Sequence, residues 1–265
     1  MIGVGNPFLM FVRAFLFQCA GHFALVGLVF LVVWRWGQQR FRGARITTRA
    51  RVDRRQILFE AKNTLGALAA GTATAVAVSL LYADGMTELT TDASSLGWPS
   101  IALGLIAFLI FNDAWFYAWH RVLHHPRLFR YVHVVHHRSV DVNPFTVYSF
   151  HPLEALIMGS AVVPFVLVVP LYLPVLGIAQ IIGLTNNIMS HLGYEFLPRW
   201  YGKVPPFRYM NTATFHSQHH TKVNGNYGLL FRVWDRVFGT ELPGYEEAFL
   251  RRGDAQSPPP AIDPR

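Results

Sequence analysis

Long apolar segments constrain this chain more than any other feature of its sequence. A helix needs about 20 apolar residues to cross the roughly 30 Å hydrocarbon core of a membrane. Pro164, Pro170 and Pro174 interrupt the longest apolar stretch, 152–190, and we interpret it as two segments joined by a tight turn. The pattern predicts an all-α, polytopic transmembrane protein with about five spans, at 14–34, 64–83, 98–119, 152–171 and 174–190.

The composition favours a membrane protein over a soluble domain with a large core. Of the 265 residues, 52% are hydrophobic and 14% are charged, whereas a soluble domain has about 25% charged residues. The net charge of +8 lies in arginines that adjoin the apolar spans, which favours contact with a membrane surface over a nucleic-acid partner. We expect one integral membrane domain over 1–252 and a disordered, Pro-rich tail over 253–265.

The distribution of Lys and Arg predicts how the spans are oriented. Arginines are concentrated between the first two predicted spans and again after the third. The segment 84–97 has three acidic residues and neither Lys nor Arg. Because basic segments stay in the cytosol, an odd number of spans places the N-terminus and 84–97 outside. The chain beyond the third span then has its basic segments in the cytosol.

Histidine is the second informative residue type. Eleven of the twelve histidines lie between positions 120 and 220, and His22 is alone in the first predicted span, where we expect it to pack within the bundle. Residues three or four apart share one face of a helix, so each of three motifs can direct its imidazoles to a common centre on the cytosolic side. The motifs are His120 with His124, then His133, His136 and His137, and finally His216, His219 and His220.

Eight imidazoles exceed the four-coordinate shell of one zinc ion and suit two metal ions with open positions. Imidazole binds Zn, Cu, Fe and Ni, so ligand type alone does not identify the metal. A two-zinc membrane hydrolase and a non-enzymatic metal-binding membrane protein stay open as alternatives, although a transporter would have histidines along a path inside its spans. A membrane site with open coordination positions favours O2 chemistry at iron.

From about residue 113 to 240 the chain resembles the fatty acid hydroxylase/sterol desaturase superfamily of membrane diiron enzymes. The resemblance rests on DAWFYAWHRVLHHPRLFRYVHVVHH (113–137), FHPLEA (150–155), SHLGYE (190–195), FHSQHH (215–220) and NYGLLFRVWDRVFGT (226–240). It implies two Fe ions near the cytosolic surface, cycling between Fe2+ and Fe3+, and a substrate cavity that reaches into the lipid. It also implies hydroxylation or desaturation of a lipid, such as a fatty acyl chain or a sterol, with O2 and an external electron-transfer protein.

The resemblance also implies which residues bind the metals, and no catalytic residue beyond these ligands is expected. His191 matches a further histidine of the family, whereas Asn187 stands where some members have another histidine, and His151 is either a ligand or an outer contact. Asp113, Glu154, Glu195 and Asp235 are expected to orient imidazoles through their other ring nitrogen, the alternative being salt bridges with Arg121 or Arg236. The implied ligands are His120, His124, His133, His136, His137, His191, His216, His219 and His220.

His124 and His125 are adjacent, but the helical register gives them different roles. If the third span continues as a helix, His124 lies about 40° around the axis from His120, and His125 lies about 140° away. His125 also precedes Pro126, which disfavours helical geometry at the residue before it. We therefore expect His124 to face the metal centre and His125 to turn away from it.

Overall fold

The computed structural model describes residues 6–49 and 52–251, so the predicted disordered tail lies outside the described residues. The predicted all-α class is confirmed. Two short strands, β1 (Leu89–Thr90) and β2 (Leu171–Tyr172), and several 3-10 turns complete the described structure. The α-helices are α1 (Pro7–Phe30), α2 (Arg54–Ala83), α3 (Trp98–Leu123), α4 (Pro126–Phe129), α5 (Val134–His137), α6 (Pro152–Gly159), α7 (Val162–Val166), α8 (Pro174–Ser190), α9 (Ala213–Lys222), α10 (Val233–Val237) and α11 (Tyr245–Arg251).

Helices α1, α2 and α3 are long and apolar enough to cross a membrane. α1 continues through a π-helical turn, so the apolar helix covers Pro7–Trp36, 30 residues or about 45 Å at 1.5 Å per residue. Asn6 accepts hydrogen bonds from the first turn of α1, and Asp53 does the same for α2, which satisfies backbone N–H groups that have no partner within the helix. Side chains such as Phe17, 80% exposed, leave an apolar outer surface suited to lipid. The protein is therefore an integral membrane protein.

The predicted fourth and fifth spans are shorter than expected. Between 152 and 171 the chain forms α6 and α7, separated near Ser160, because Pro164 has no N–H with which to continue the hydrogen-bond ladder. The segment from 174 forms α8, which has 17 residues. Neither segment meets the length and composition of a candidate span, so the predicted count of five spans is not confirmed.

The hairpin formed by α6, α7 and α8 nevertheless reaches the end of the bundle where α2 is connected to α3. There β1 pairs in parallel with β2, with Leu89 opposite Leu171. A buried apolar cluster that includes Phe108, Phe165 and Val175 surrounds this pairing. The hairpin therefore begins beside the histidines, turns at the opposite end of the bundle, and returns to the histidines at the end of α8.

The basic segment between α1 and α2 lies at the histidine end of the bundle. The indole N–H of Trp34 donates to the carbonyl oxygen of Leu192 at 2.8 Å, and the backbone N–H of Ile46 donates to that of Gly193 at 3.1 Å. The backbone N–H of Glu195 donates to the carbonyl oxygen of Ala44. The basic segment and the histidine motifs therefore share one end of the molecule, as the distribution of arginines predicts.

Candidate metal centre

Four structural elements bring the nine histidines implied by the sequence together at one end of the bundle. α3 ends beside the site with His120 and His124, α5 contributes the second motif, α8 is followed by His191, and α9 carries the third motif. The ligand atoms separate into two sets, and within each set they lie within 4.8 Å of one another. We call them the five-histidine group (His120, His124, His133, His137 and His219) and the four-histidine group (His136, His191, His216 and His220).

Each H-x2-H-H motif contributes histidines to both groups. The prediction that the imidazoles of one motif share a single centre is therefore wrong for these two motifs. His133 and His137 belong to the five-histidine group, and His136 belongs to the other. In α9 the division is reversed, since His219 alone joins the five-histidine group. Adjacent residues of a helix point about 100° apart, so two neighbouring histidines reach two different centres.

The nitrogen separations in the four-histidine group fit a shared metal ion. The Nε2 atom of His191 lies 2.9 Å from Nε2 of His216, and 3.3 Å from Nε2 of both His136 and His220. A neutral imidazole has one N–H, so hydrogen bonding among the rings cannot satisfy all of these contacts. Nitrogens that share an ion at about 2.0–2.1 Å are about 3 Å apart, which is the spacing observed.

The five-histidine group has the same character. Nε2 of His133 lies 3.0 Å from Nε2 of His120 and 3.1 Å from Nε2 of His137. Both ring nitrogens of His124 and Nε2 of His219 have no hydrogen-bond partner among the described residues. A buried polar atom without a partner costs about 1–3 kcal/mol. A metal ion bound by one nitrogen of each ring would lower that cost, so these residues fit a metal.

Hydrogen bonds from outside the two groups orient four of the rings. Nδ1 of His133 donates to the Glu154 carboxylate at 2.8 Å. Carbonyl oxygens accept the other three bonds, at 2.7–2.9 Å: Tyr227 from His120, Gly225 from His219, and Asn187 from His191. With the proton on Nδ1, the Nε2 lone pair of each ring faces inward and is free to bind a metal.

Burial keeps the imidazoles neutral at pH 7, the form that binds metal ions. It lowers the pKa of His137 to about 3 and the pKa of His191 to about 4, with the neighbouring His120 adding to the shift in both. Burial and the surrounding imidazoles also lower the pKa of His216, His219 and His220 well below the usual value. The site is therefore a cluster of neutral imidazoles whose nitrogen lone pairs can bind a metal ion.

Of the four acidic residues expected to orient imidazoles, Glu154 contacts a histidine ring and the other three bind backbone groups. Asp113 accepts from the backbone N–H of Leu230 at 2.6 Å and also binds the Trp234 indole. Glu195 accepts from the backbone N–H and the hydroxyl of Thr214, in the first turn of α9. Asp235 accepts from the N–H groups of residues 227 and 228. These three carboxylates position segments that carry ligands or their acceptors.

His151, His125 and the side chain of Asn187 lie outside both groups. His151 is partly exposed, and its Nδ1 accepts from the N–H of Leu153 at the start of α6. His125 is exposed and accepts from the N–H of Arg127 at the start of α4. The Asn187 amide donates to the carbonyl oxygen of Val147, so this residue contacts the site through its backbone carbonyl.

Sequence reasoning did not identify Gly225 and Tyr227 as parts of the site, or Glu60 as a support for the chain beside it. Gly225 has a φ of +135°, and an added Cβ would lie 2.6 Å from the carbonyl oxygen of Thr240, so glycine is required there. Glu60 of α2 is fully buried and accepts from Ser139, Asn143 and Thr146, which fixes the chain that follows α5. The Asn-Gly-Asn sequence at 224–226 is typical of a turn and could have indicated Gly225. No sequence pattern around Glu60 indicates its role.

A cavity of about 710 Å³ connects the histidines with the interior of the bundle. Members of both groups, such as His120 and His191, form one part of its wall. Apolar residues such as Phe108, Val162 and Leu173 line the part near the β1–β2 pairing. The cavity therefore offers a long, largely apolar molecule access to the metal centre.

Residues 105–240 match the family model described as fatty acid hydroxylase. Methylsterol monooxygenase 1 of Gallus gallus is 36% identical over 144 residues, which cover 54% of this chain and 48% of the relative. Lathosterol oxidase of Rattus norvegicus is 31% identical over 168 residues, 62% of this chain and 54% of the relative. A delta(7)-sterol 5(6)-desaturase of Gibberella zeae is 29% identical over 160 residues, 59% of this chain and 47% of the relative.

The chain spans about half the length of the curated relatives it matches. No solved structure is significantly similar to it. The matched region includes every member of the two histidine groups together with Glu154, so the similarity is concentrated where the structure forms its candidate metal centre.

Proposed function

Because the chain belongs to the fatty acid hydroxylase family, we propose that it is a membrane-bound oxygenase that hydroxylates or desaturates a lipid with O2. The observation that carries this proposal is the pair of histidine groups at one end of a largely apolar cavity. The relatives named above are enzymes of sterol oxidation, which favours a sterol or a related lipid as the substrate. The resemblance to membrane diiron enzymes supports an external electron-transfer protein as the proposed source of electrons.

Two Fe ions are the proposed cofactors, one held by the five-histidine group and one by the four-histidine group. When bound, the irons supply the O2 activation needed to remove hydrogen from an unactivated C–H bond. The protein keeps nine imidazoles neutral and fixes the direction of four of them through Glu154 and three carbonyl oxygens. In this proposal the largely apolar cavity holds a lipid carbon beside the centre. Precise positioning matters there, because small errors in position lower the rate strongly.

Lipid analysis tests the function directly. Cells with the wild-type protein, with a His191→Ala variant and without the gene are compared by lipid mass spectrometry. We expect wild-type cells alone to contain a lipid that has gained one oxygen atom or lost two hydrogen atoms. Purified protein from cells supplied with both iron and zinc should contain iron. Bound zinc without such a product would instead support a two-zinc hydrolase, and metal without any product would support a metal-binding protein.

The proposed orientation places the histidine end in the cytosol and the N-terminus outside. Support comes from the basic segment between α1 and α2, which lies at the histidine end and is expected to stay in the cytosol. In a Cys19→Ser background, an impermeant thiol reagent applied to intact cells should label Ser94→Cys, between α2 and α3, and not Gln39→Cys, between α1 and α2. The reverse labelling pattern would overturn the proposed orientation.

A further inference from the structure

His22 is a buried polar residue that the metal centre does not use. It lies midway along α1, is 6% exposed, and lines the cavity. Neither of its ring nitrogens has a hydrogen-bond partner among the described residues. Its ring stacks on Tyr148 with 4.9 Å between centroids, which fixes its position but does not satisfy its nitrogens. An imidazole left unpaired inside a membrane protein is costly, so a partner from the cavity is expected.

Other polar side chains accompany His22 in the cavity wall. Gln18 lies one helical turn earlier on α1 and donates to Thr72. Gln180 of α8 donates to the Tyr148 hydroxyl at 3.0 Å, on the ring that stacks on His22. We call Gln18, His22, Tyr148 and Gln180 the polar patch. It offers hydrogen-bonding groups from two sides of the cavity, between the apolar far end and the histidines.

The polar patch lies at a fixed separation from the metal centre. The rings of Tyr148 and Phe150 lie 6.2 Å apart between centroids, and the ring of Phe150 lies 4.6 Å from that of His136. His22, these two aromatic rings and His136 all line the same cavity. A molecule that fills the cavity can therefore contact His22 with one end and place a carbon beside the four-histidine group with another part.

The chemistry of the wall selects the group that His22 binds. A neutral imidazole has one donor and one acceptor, and a hydroxyl group can both donate and accept. Among the described residues the cavity wall has no Lys or Arg, so no cationic side chain at the polar patch neutralises a phosphate or carboxylate. We propose that His22 binds the hydroxyl group of a neutral lipid alcohol and so determines which carbon of that lipid reaches the metal centre. This rests on the proposed function, in which that lipid is the substrate.

Equilibrium binding to the purified protein in detergent tests the proposal without requiring turnover. The probes are two radiolabelled pairs that differ in one hydroxyl: cholesterol with cholest-5-ene, and 1-octadecanol with octadecane. For at least one pair, wild-type protein should bind the alcohol about tenfold or more tighter than the hydrocarbon, the effect of about one hydrogen bond. His22→Phe keeps an aromatic ring against Tyr148 but removes both nitrogens, so the preference should fall to about onefold.

Matched variants separate hydrogen bonding from packing. Val26 is fully buried one turn further along α1, so Val26→Ala perturbs the same helix and should leave the preference for the alcohol unchanged. His22→Gln retains a donor and an acceptor and should restore part of the preference. His22→Met repeats the test if the Phe variant fails to fold. An unchanged preference in the apolar variants, or no preference in the wild-type protein, would overturn the proposal.

Lipid oxidation and alcohol binding, measured together, distinguish a failure of the role proposed for His22 from a failure of the proposed function. If the wild-type protein oxidises a lipid but His22→Phe has no effect on the position of oxidation or on alcohol binding, the role of His22 is wrong and the proposed function stands. If alcohol binding depends on His22 but no lipid is oxidised, the proposed function is wrong. When both hold, His22→Phe should yield a mixture of oxidation positions, because the lipid is no longer fixed at its hydroxyl end.

Discussion

The five-histidine group and the four-histidine group contain the same kind of ligand but are held in different ways. In the five-histidine group, three rings are fixed from outside through Nδ1, by a carboxylate and two carbonyl oxygens. In the four-histidine group, the hydrogen bonds described give one ring an outside contact of this kind: Nδ1 of His191 donates to the carbonyl oxygen of Asn187. Its Nε2 in turn contacts the Nε2 atoms of the other three rings. One group is positioned by its surroundings and the other is arranged around a single residue.

This difference follows from where the anchors lie in the fold. Two anchors of the five-histidine group lie far in sequence from the rings they hold, Glu154 from His133 and Tyr227 from His120. The third, Gly225, lies six residues after His219. In the four-histidine group, His216 and His220 are one turn apart on α9, and His191 accompanies them from the end of α8. We infer that the five-histidine group tolerates the loss of one ligand better, whereas the other group depends on His191.

The largest effect is expected from removing His191. His191→Ala deletes the nitrogen that contacts His136, His216 and His220. We expect the four-histidine group to lose its metal, so that bound iron falls to about half and product formation is abolished. Iron per protein by elemental analysis and product by mass spectrometry are the measurements. His151→Ala is the control, since this residue lies outside both groups and should retain its iron. Full iron content in His191→Ala would disprove the central role of His191.

A smaller loss of iron is expected from His124→Ala, because four imidazoles of the five-histidine group remain. Turnover should still be abolished, since His124 offers one ring nitrogen to the five-histidine group and has no other hydrogen-bond partner among the described residues. The adjacent His125→Ala should keep most of its iron and measurable activity, because His125 is exposed and caps α4. Iron content and product are measured on both purified variants. Equal losses in the two would show that the helical register at the end of α3 is wrong.

The sequence predicts the parts of this structure that depend on local pattern. Apolar runs predict α1, α2 and α3, and histidine spacing predicts that His120 and His124 share a face while His125 turns away. The separation of α6 from α7 is less evident, because a proline within an apolar run is compatible with either a kinked span or two short helices. Local pattern therefore predicts the long helices better than the hairpin beside them.

Contacts made by backbone atoms are the least predictable part of the site. Carbonyl oxygens of Gly225 and Tyr227 accept from His219 and His120, and a carbonyl group is present in every residue type. Asp113 is a second example of a contact with the backbone that the sequence does not predict. The sequence predicts a contact between its carboxylate and an imidazole, but the carboxylate binds a backbone N–H. The residue types for ligands can be read from the sequence, but the groups that orient them depend on how distant segments meet.

Glu154 tests whether outer anchoring controls the five-histidine group. Glu154→Gln leaves an oxygen near Nδ1 of His133 but replaces a carboxyl group with an amide, a weaker acceptor, so metal affinity of this group should fall about 10–100-fold. Affinity is measured by competition with a chelator.

Glu60→Gln is the matched control, because Glu60 is also a fully buried carboxylate but binds Ser139 and Asn143 instead of a histidine. The control should lower thermal stability while leaving the affinity unchanged. Equal affinity losses would mean that buried carboxyl groups in general, rather than the contact with His133, hold the group.

The smallest effect is expected at Asp235, which acts on the five-histidine group through the backbone. Its carboxylate oxygens accept from the N–H groups of Tyr227 and Gly228 at 2.8 and 2.7 Å, and the carbonyl oxygen of Tyr227 accepts from His120. In Asp235→Asn, one acceptor becomes an NH2 group facing a backbone N–H, which should lower stability by about 1–3 kcal/mol. The orientation of His120 loosens only indirectly, so metal affinity should fall less than in Glu154→Gln.

Asp141→Asn is the control for Asp235→Asn, because Asp141 anchors the basic segment through Thr48 and contacts neither histidine group in the described structure. Chelator competition is combined with a thermal unfolding curve for each variant. The comparison between the two groups predicts that the affinity loss in Asp235→Asn is confined to one of two metal ions. Among the described contacts, the carbonyl oxygens of the turn at 225–227 bind rings of the five-histidine group and no ring of the four-histidine group. Equal weakening of both ions would show that the two groups are coupled and respond to outer anchors as one unit.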